Sequence, residues 1–181
     1  MSDLQKTFKE TISKRLKNEL QIHNVHAVPR LLKIVVNIGV KNVLLDKKKL
    51  QVAQGSLAQI TGQKPKVTKA RKAIASFKLR QGDEIGLMVT LRGKRMYDFF
   101  EKLTSIVLPR LRDFHGVRRT QFDGKGNYTL GLSEYAVFPE IDQGNVENVQ
   151  GLEVSIVTTA KDNKEGTALL EALGMPFMKG K

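Results

Sequence analysis

An apolar residue returns at every fourth position near the start of the chain, at Leu4, Phe8, Ile12, Leu16 and Leu20. That spacing keeps one side of a helix apolar and predicts an amphipathic helix over about residues 3 to 21, with Ser2 and Gln5 able to form a capping box. Lys6, Lys9, Lys14, Arg15 and Lys17 fall on its other faces and read as solvated surface. From Gln21 to Arg30 the pattern breaks, since Asn24 permits a tight turn and Pro29 disfavours helix at Val28. His23 and His26 sit in this break without a third ligand, which makes them loop residues rather than a metal site.

The period then changes to two. In LLKIVVNIGV, residues 31–40, Leu32, Ile34, Val36 and Ile38 share one face of a strand, and Lys33, Val35, Asn37 and Gly39 share the other. A second strand runs from about Glu84 to Arg92, with Ile85, Leu87, Val89 and Leu91 directed to the core and Met88, Thr90 and Arg92 directed away. Both strands thus offer polar groups on one side, as a sheet does when that side is left for a polar partner. Ordinary exposure to solvent explains either strand taken singly.

Three further helices are predicted. Asp46 can cap one that runs to about Ile60, with Leu50, Ala53, Leu57 and Ile60 inward and Gly62 at its end. Met96, Phe99, Phe100, Leu103, Ile106 and Val107 form the largest apolar stripe in the chain, on a helix from about Lys94 to Val107 that Pro109 interrupts. Asp162 and Glu165 cap the last helix, in which Ala168, Leu169, Ala172 and Leu173 pack before Gly174 and Pro176 end it. Between these lie a basic cluster (Arg110, Arg112, Arg118, Arg119), a glycine-rich turn at Gly124-Lys125-Gly126 and a strand over 152–160. The turn lacks the strand–loop–helix setting and spacing of a phosphate loop.

Charge changes the picture most between Lys64 and Gly82, where KPKVTKARKAIASFKLRQG holds Lys64, Lys66, Lys69, Arg71, Lys72, Lys78 and Arg80 and no carboxylate. Such a run repels itself and seeks a polyanion, and Ile74 and Phe77 at its centre add groups able to press on a base or sugar. A solvated loop and an amphipathic helix at a membrane surface are the competing readings of this stretch alone. The whole chain of 181 residues carries a net charge of +13. Residues 1–133 hold 27 Lys and Arg against 10 Asp and Glu, whereas residues 134–181 hold four against eight, so the C-terminal quarter is poorly suited to phosphate.

Length and 40% hydrophobic content suit one domain over 1–181 with a real core. With no cysteine there is no disulfide framework and no thiolate chemistry, and the cytoplasm is the expected compartment. No apolar run approaches the ~20 residues of a membrane span, and the N-terminus lacks a signal peptide's apolar core. With only three histidines and no Ser-His-Asp order, paired-carboxylate motif or metal set, catalysis is not expected, and neither is a cofactor.

Four blocks carry a resemblance: VPRLLKIVVNIGV (28–40), ITGQKPKVTKARKAIASFKLRQG (60–82), FDGKGNYTLGLSEYAVFPEID (122–142) and VTTAKDNKEGTALLEALGMPF (157–177). Taken in this order, they resemble the bacterial large-subunit ribosomal protein five family, whose members bind 5S ribosomal RNA. The resemblance implies an α+β fold, an antiparallel β-sheet with helices packed on one face and a projecting basic hairpin at about 66–92. It implies a structural constituent of the large subunit that attaches 5S RNA in the central protuberance, with 23S RNA and other central-protuberance proteins as further partners. Asn37, Gln63 and Thr90 match the family's 5S RNA contacts, and Lys33, Lys66, Thr68 and Arg92 are grouped with them. Amides and hydroxyls of this kind address ribose and base edges without needing a deep groove. Ala73, Ile74, Ala75, Ser76, Phe77, Lys78, Leu79 and Arg80 fall on the hairpin tip that the family turns toward the elbow of P-site transfer RNA. Arg110, Arg112 and Arg118 fall in the region of its bridge to small-subunit ribosomal protein thirteen. A generic nucleic-acid-binding or RNA-chaperone module is the competing reading, compatible with the charge but not predicted by four ordered blocks.

Overall fold

The structure is a computed structural model that describes residues 3–40, 47–141 and 150–178. The fold is α+β. Five strands, β1 (Leu31–Gly39), β2 (Lys66–Lys69), β3 (Glu84–Leu91), β4 (Tyr128–Leu132) and β5 (Leu152–Thr158), form an antiparallel sheet in the order β2-β3-β1-β5-β4. The chain comprises two compact units, one of Met1–Ile34, Leu91–Leu130 and Ser155–Lys181, the other of Val35–Thr90 and Gly131–Val154.

In the first unit, helix α1 (Asp3–Thr7) passes through a wider i→i+5 turn at Phe8–Ile12 into α2 (Ser13–Glu19). The strict fourfold repeat explains that turn. In a plain α-helix each step of four residues overshoots a full revolution by about 40°, and a wider turn gives part of that drift back. Phe8, Ile12 and Leu16 consequently all stay buried. Ser2, the expected cap, lies outside the described residues.

The same device recurs after helix α4 (Gly93–Lys102), which runs into an i→i+5 turn at Leu103–Val107 and a final tight turn at Leu108–Arg110. Met96, Phe99, Phe100, Leu103, Val107 and Leu108 are buried there. Ile106, expected in that stripe, is instead 40% exposed, because the wider turn moves Val107 and Leu108 onto the inner face. Tyr97 is also buried, 6.1 Å from the Phe8 ring, and burial pushes its hydroxyl pKa up. Each such side chain contributes roughly 1.5–3 kcal/mol when fully buried.

Helix α5 (Asn163–Ala172) starts as its sequence requires: the Asp162 carboxylate accepts from the Glu165 N–H at 2.8 Å. Glu165 answers at Lys161 N–H, one residue earlier than in a standard capping box, at 2.9 Å. Leu169, Leu170 and Leu173 are buried, while Ala168 and Ala172 are half-buried. The glycine-rich turn packs beneath this helix. A Cβ on Gly166 would lie 2.7 Å from the Gly126 carbonyl oxygen, and one on Gly126 would lie 2.6 Å from Cβ of Ala160. Thr158 Oγ1 donates to the Gly126 carbonyl at 2.9 Å, and Asp123 Oδ1 accepts from the Lys125 and Asn127 N–H groups at 2.8 and 3.1 Å. That turn is therefore a packing joint with no phosphate-loop geometry.

Near the end of the chain, Val117 donates to the Pro176 carbonyl at 2.8 Å and Met178 donates to the Val117 carbonyl at 3.0 Å. Phe122, Tyr128 and Phe177 cluster there, and Arg119 stacks on Phe177 while pairing with Glu171.

The second unit holds helix α3 (Lys47–Thr61), whose Leu50, Ala53, Leu57 and Ile60 are buried and which Gly62 ends at φ +63. Asp46, its expected cap, lies outside the described residues. On the strands of this unit, Val36, Ile38, Leu87, Val89, Leu132, Leu152 and Val154 are buried. Alternate positions other than Gly86 stay at least partly accessible.

Two strand positions depart from strict alternation. Leu32 is 45% exposed, and Leu31 takes the buried place, because the inward period begins only at Ile34. Ile85 is 37% exposed because the β2–β3 pairing slips there: Thr68 faces Gly86 and Lys69 faces Glu84, leaving Ile85 unmatched in a bulge.

Candidate nucleic-acid interface

The open side of the second unit is built by period-two alternation. Along β1, Ile34, Val36 and Ile38 are buried, so Val35 and Asn37 lie on the half-exposed side; along β3, Leu87 and Val89 are buried, so Met88 and Thr90 lie there. Strand β2 sits at the sheet's edge beside β3, with Lys66 opposite Met88 and Thr68 opposite Gly86.

Gln63 comes to β3 from the segment between α3 and β2. Thr61 Oγ1, bonded to the Leu57 carbonyl at 2.7 Å and to the Gln63 carbonyl at 3.1 Å, ties the helix end to that segment. The Gln63 amide then donates to the Thr90 carbonyl at 3.4 Å. Two of the expected RNA contacts are thus brought together across 27 residues of sequence. Among the described residues, the Asn37 amide and the Thr90 hydroxyl have no hydrogen-bond partner within the chain. Lys66 is exposed and Thr68 half-buried. Lys33, half-buried on β1, and Arg92, exposed just past β3, belong to the first unit.

Gly86 is the residue that sequence reading missed. A Cβ there would stand 2.6 Å from the Ile38 carbonyl oxygen and 3.0 Å from Thr68 Oγ1, so only glycine lets β1 and β2 close on β3 at the bulge. A lone glycine within an apolar alternation is the signal that marks such a place.

The basic run between β2 and β3 is tied at two levels. Ala70 N–H donates to the Asp83 carbonyl at 2.8 Å, and Gly82 N–H to the Ala70 carbonyl at 3.0 Å. Further out, Ile74 and Leu79 exchange hydrogen bonds at 2.9 and 3.1 Å. Ala75–Phe77 form a tight turn between them, and Lys78 closes it at φ +53. The Asp83 carboxylate accepts from the Arg80 N–H at 2.7 Å. Ala73, Ile74, Ala75, Ser76, Phe77, Lys78 and Arg80 are exposed and Leu79 is half-buried; Phe77, at 74%, leaves most of its ring in water. An exposed ring among cations is suited to stacking on a base.

Arg110, Arg112 and Arg118 are all exposed in the first unit. No described helix is long and apolar enough to cross a membrane.

Residues 24–80 match the family model described as ribosomal protein L5, and residues 84–177 match the model of that ribosomal family's C-terminus. Among curated relatives, the large ribosomal subunit protein uL5 of Roseiflexus castenholzii is 55% identical over 174 residues, 96% of this chain and 97% of that protein. The protein of the same name from Mesoplasma florum is 53% identical over 178 residues, 98% and 99% of the two chains, and that of Nostoc punctiforme is 51% identical over 96% of each. That family is structural rather than enzymatic. With both models matched in sequence order and relatives aligned along nearly the full length, this chain belongs to the ribosomal protein L5 family.

Proposed function

We propose that this chain is a structural constituent of the large ribosomal subunit, working in the cytoplasm, that holds 5S ribosomal RNA against the open side of its sheet. Family membership supports the ribosomal role. The observation that carries the RNA reading is the gathering of Gln63 and Thr90 by their 3.4 Å hydrogen bond, on the side of the sheet where Asn37 and Thr68 are also accessible. Neutral amides and hydroxyls suit ribose and base edges, while Lys66 supplies charge for phosphates; Lys33 and Arg92 are read as RNA contacts of the first unit.

On the same reading, the loop from Ala73 to Arg80 meets the elbow of P-site transfer RNA through Phe77 and its neighbouring cations. Arg110, Arg112 and Arg118 meet small-subunit ribosomal protein thirteen. 23S RNA and other proteins of the central protuberance complete the surroundings.

Filter binding of 5S RNA tests the assignment. Replacing Asn37, Gln63 and Thr90 together by Ala weakens binding, whereas an undiminished affinity in a folded triple variant refutes it. Five to eight neutralised phosphates give a log-log salt slope of about −4 to −7. Deleting Ala73 to Arg80 spares 5S RNA binding and impairs transfer RNA positioning; loss of 5S RNA binding on that deletion refutes the division of labour. Competition with duplex DNA separates this function from that of a generic nucleic-acid binder.

A further inference from the structure

Asp83 stands at the foot of the basic loop, where Lys69, Arg71, Lys72, Lys78 and Arg80 are all exposed and, among the described residues, in no ion pair. Coulomb attraction alone would turn its carboxylate to one of these cations. It turns to backbone instead. The carboxylate accepts from the Arg80 N–H at 2.7 Å, and the Asp83 N–H donates to the Arg80 carbonyl at 3.2 Å, so both backbone polar groups of Arg80 are held by one residue. The second bond closes a four-residue turn over 80–83, in which Gly82 supplies the positive φ, +93, at the third position. The Asp83 carbonyl in turn accepts from the Ala70 N–H at 2.8 Å, joining the returning arm of the loop to the outgoing one.

Little else holds the loop in shape. No residue from Arg71 to Gly82 is buried, and a two-stranded hairpin without a packed face is marginal in water. Further out there is the Ile74–Leu79 bridge. Within 71–83 the bond from Arg80 N–H to Asp83 is the one hydrogen bond that a side chain makes.

We propose that Asp83 is a positioning residue for RNA capture: its carboxylate fixes the Arg80 backbone, and with it the direction in which Phe77, Lys78 and Arg80 meet a single RNA. This rests on residues 73–80 being the transfer RNA contact. Charge and positioning disagree in sign here. By charge, removing a carboxylate from a basic loop tightens RNA binding; by positioning, removing it loosens binding, because the lost order must then be supplied on association.

Full-length Asp83→Ala and Asp83→Asn separate the two, since asparagine keeps an acceptor oxygen for the Arg80 N–H and drops the charge. Ribosomes reconstituted with each chain are titrated with P-site transfer RNA beside ribosomes carrying the 73–80 deletion. The free proteins are compared in 5S RNA affinity, melting temperature and exchange of the Arg80 amide by NMR. Asp83→Ala weakens transfer RNA binding by about tenfold and speeds Arg80 exchange by about the same factor, the worth of one charge-assisted hydrogen bond. Asp83→Asn stays within about threefold of the parent in both. Neither variant loses 5S RNA affinity or melts more than about 2 °C from the parent. If both variants bind transfer RNA as tightly as the parent or more tightly while the deletion weakens it, the positioning role is wrong and the loop reading stands. If the deletion itself leaves transfer RNA binding at the parent level, the loop reading falls and this inference with it. Equal weakening by alanine and asparagine assigns the effect to the charge, loss of 5S RNA affinity or of melting temperature in Asp83→Ala assigns it to the fold, and parent-like Arg80 exchange in that variant shows that the carboxylate does not hold the backbone; each overturns the inference.

Discussion

Replacing Gly86 by Ala perturbs the place where three strands meet. The added Cβ would sit 2.6 Å from the Ile38 carbonyl oxygen, against 3.4 Å at the near edge of ordinary contact, so β1 or β3 must yield about 0.8 Å. The carbonyl is backbone and cannot rotate away as a side chain would. Moving it disturbs the neighbouring Val40 N–H to Ile85 carbonyl bond of 3.1 Å. Overpacking of this kind costs about 1–3 kcal/mol and a weakened strand hydrogen bond about 1 kcal/mol. The reduced freedom of the unfolded chain offsets about 0.4–1 kcal/mol. A net loss of about 2 kcal/mol lowers the melting temperature of a chain this long by about 4–8 °C. Thermal and urea unfolding followed by circular dichroism measure it. Adding Thr68→Ala removes the 3.0 Å contact but leaves the carbonyl in place, so the double variant recovers only part of the loss. A Gly86→Ala protein that melts within about 1 °C of the parent refutes the packing argument.

Tyr128 gives a second prediction: its hydroxyl lies 2.9 Å from the Arg118 carbonyl oxygen and 2.8 Å from Gln121 Oε1, and Tyr128→Phe costs about 1–2 kcal/mol in urea unfolding. Burial pushes the Tyr128 pKa from 10.0 up to about 12. Between those values the unfolded chain has released a proton that the folded chain retains, so the parent loses stability as pH rises through this window, and Tyr128→Phe lacks that part of the decline. Asp162→Ala removes the cap on the Glu165 N–H, lowering stability by about 1 kcal/mol, and Asp162→Asn keeps most of it; thermal melts of the pair separate cap from charge.

The helical parts of this fold are legible locally. Leu50, Ala53, Leu57 and Ile60 announce a buried face, Gly62 its end, and Asp162 the start of α5, because each rule acts within one or two turns. The open side of β1 is legible in the alternation that puts Asn37 opposite Val36 and Ile38. Ile85 is not, because its exposure depends on Thr68 meeting Gly86 across two strands, a contact that period-two alternation cannot encode. Ile106 is lost for a related reason, since a wider turn changes which residues face inward. The meeting of Gln63 with Thr90 is not legible in the sequence, for nothing in the local pattern links positions 27 apart.

The wide turn at Phe8–Ile12 leaves the N-terminal helix with one residue of slack. Shortening the chain by one of Lys9, Glu10 or Thr11 changes the apolar spacing from four-four-four to four-three-four, which ordinary winding carries with Leu16 still inside. The same excision from α5 swings every later side chain by about 100°, taking Leu173 out of register. Length variation in this helix therefore has a natural home, and chains differing there by a single residue can share one core.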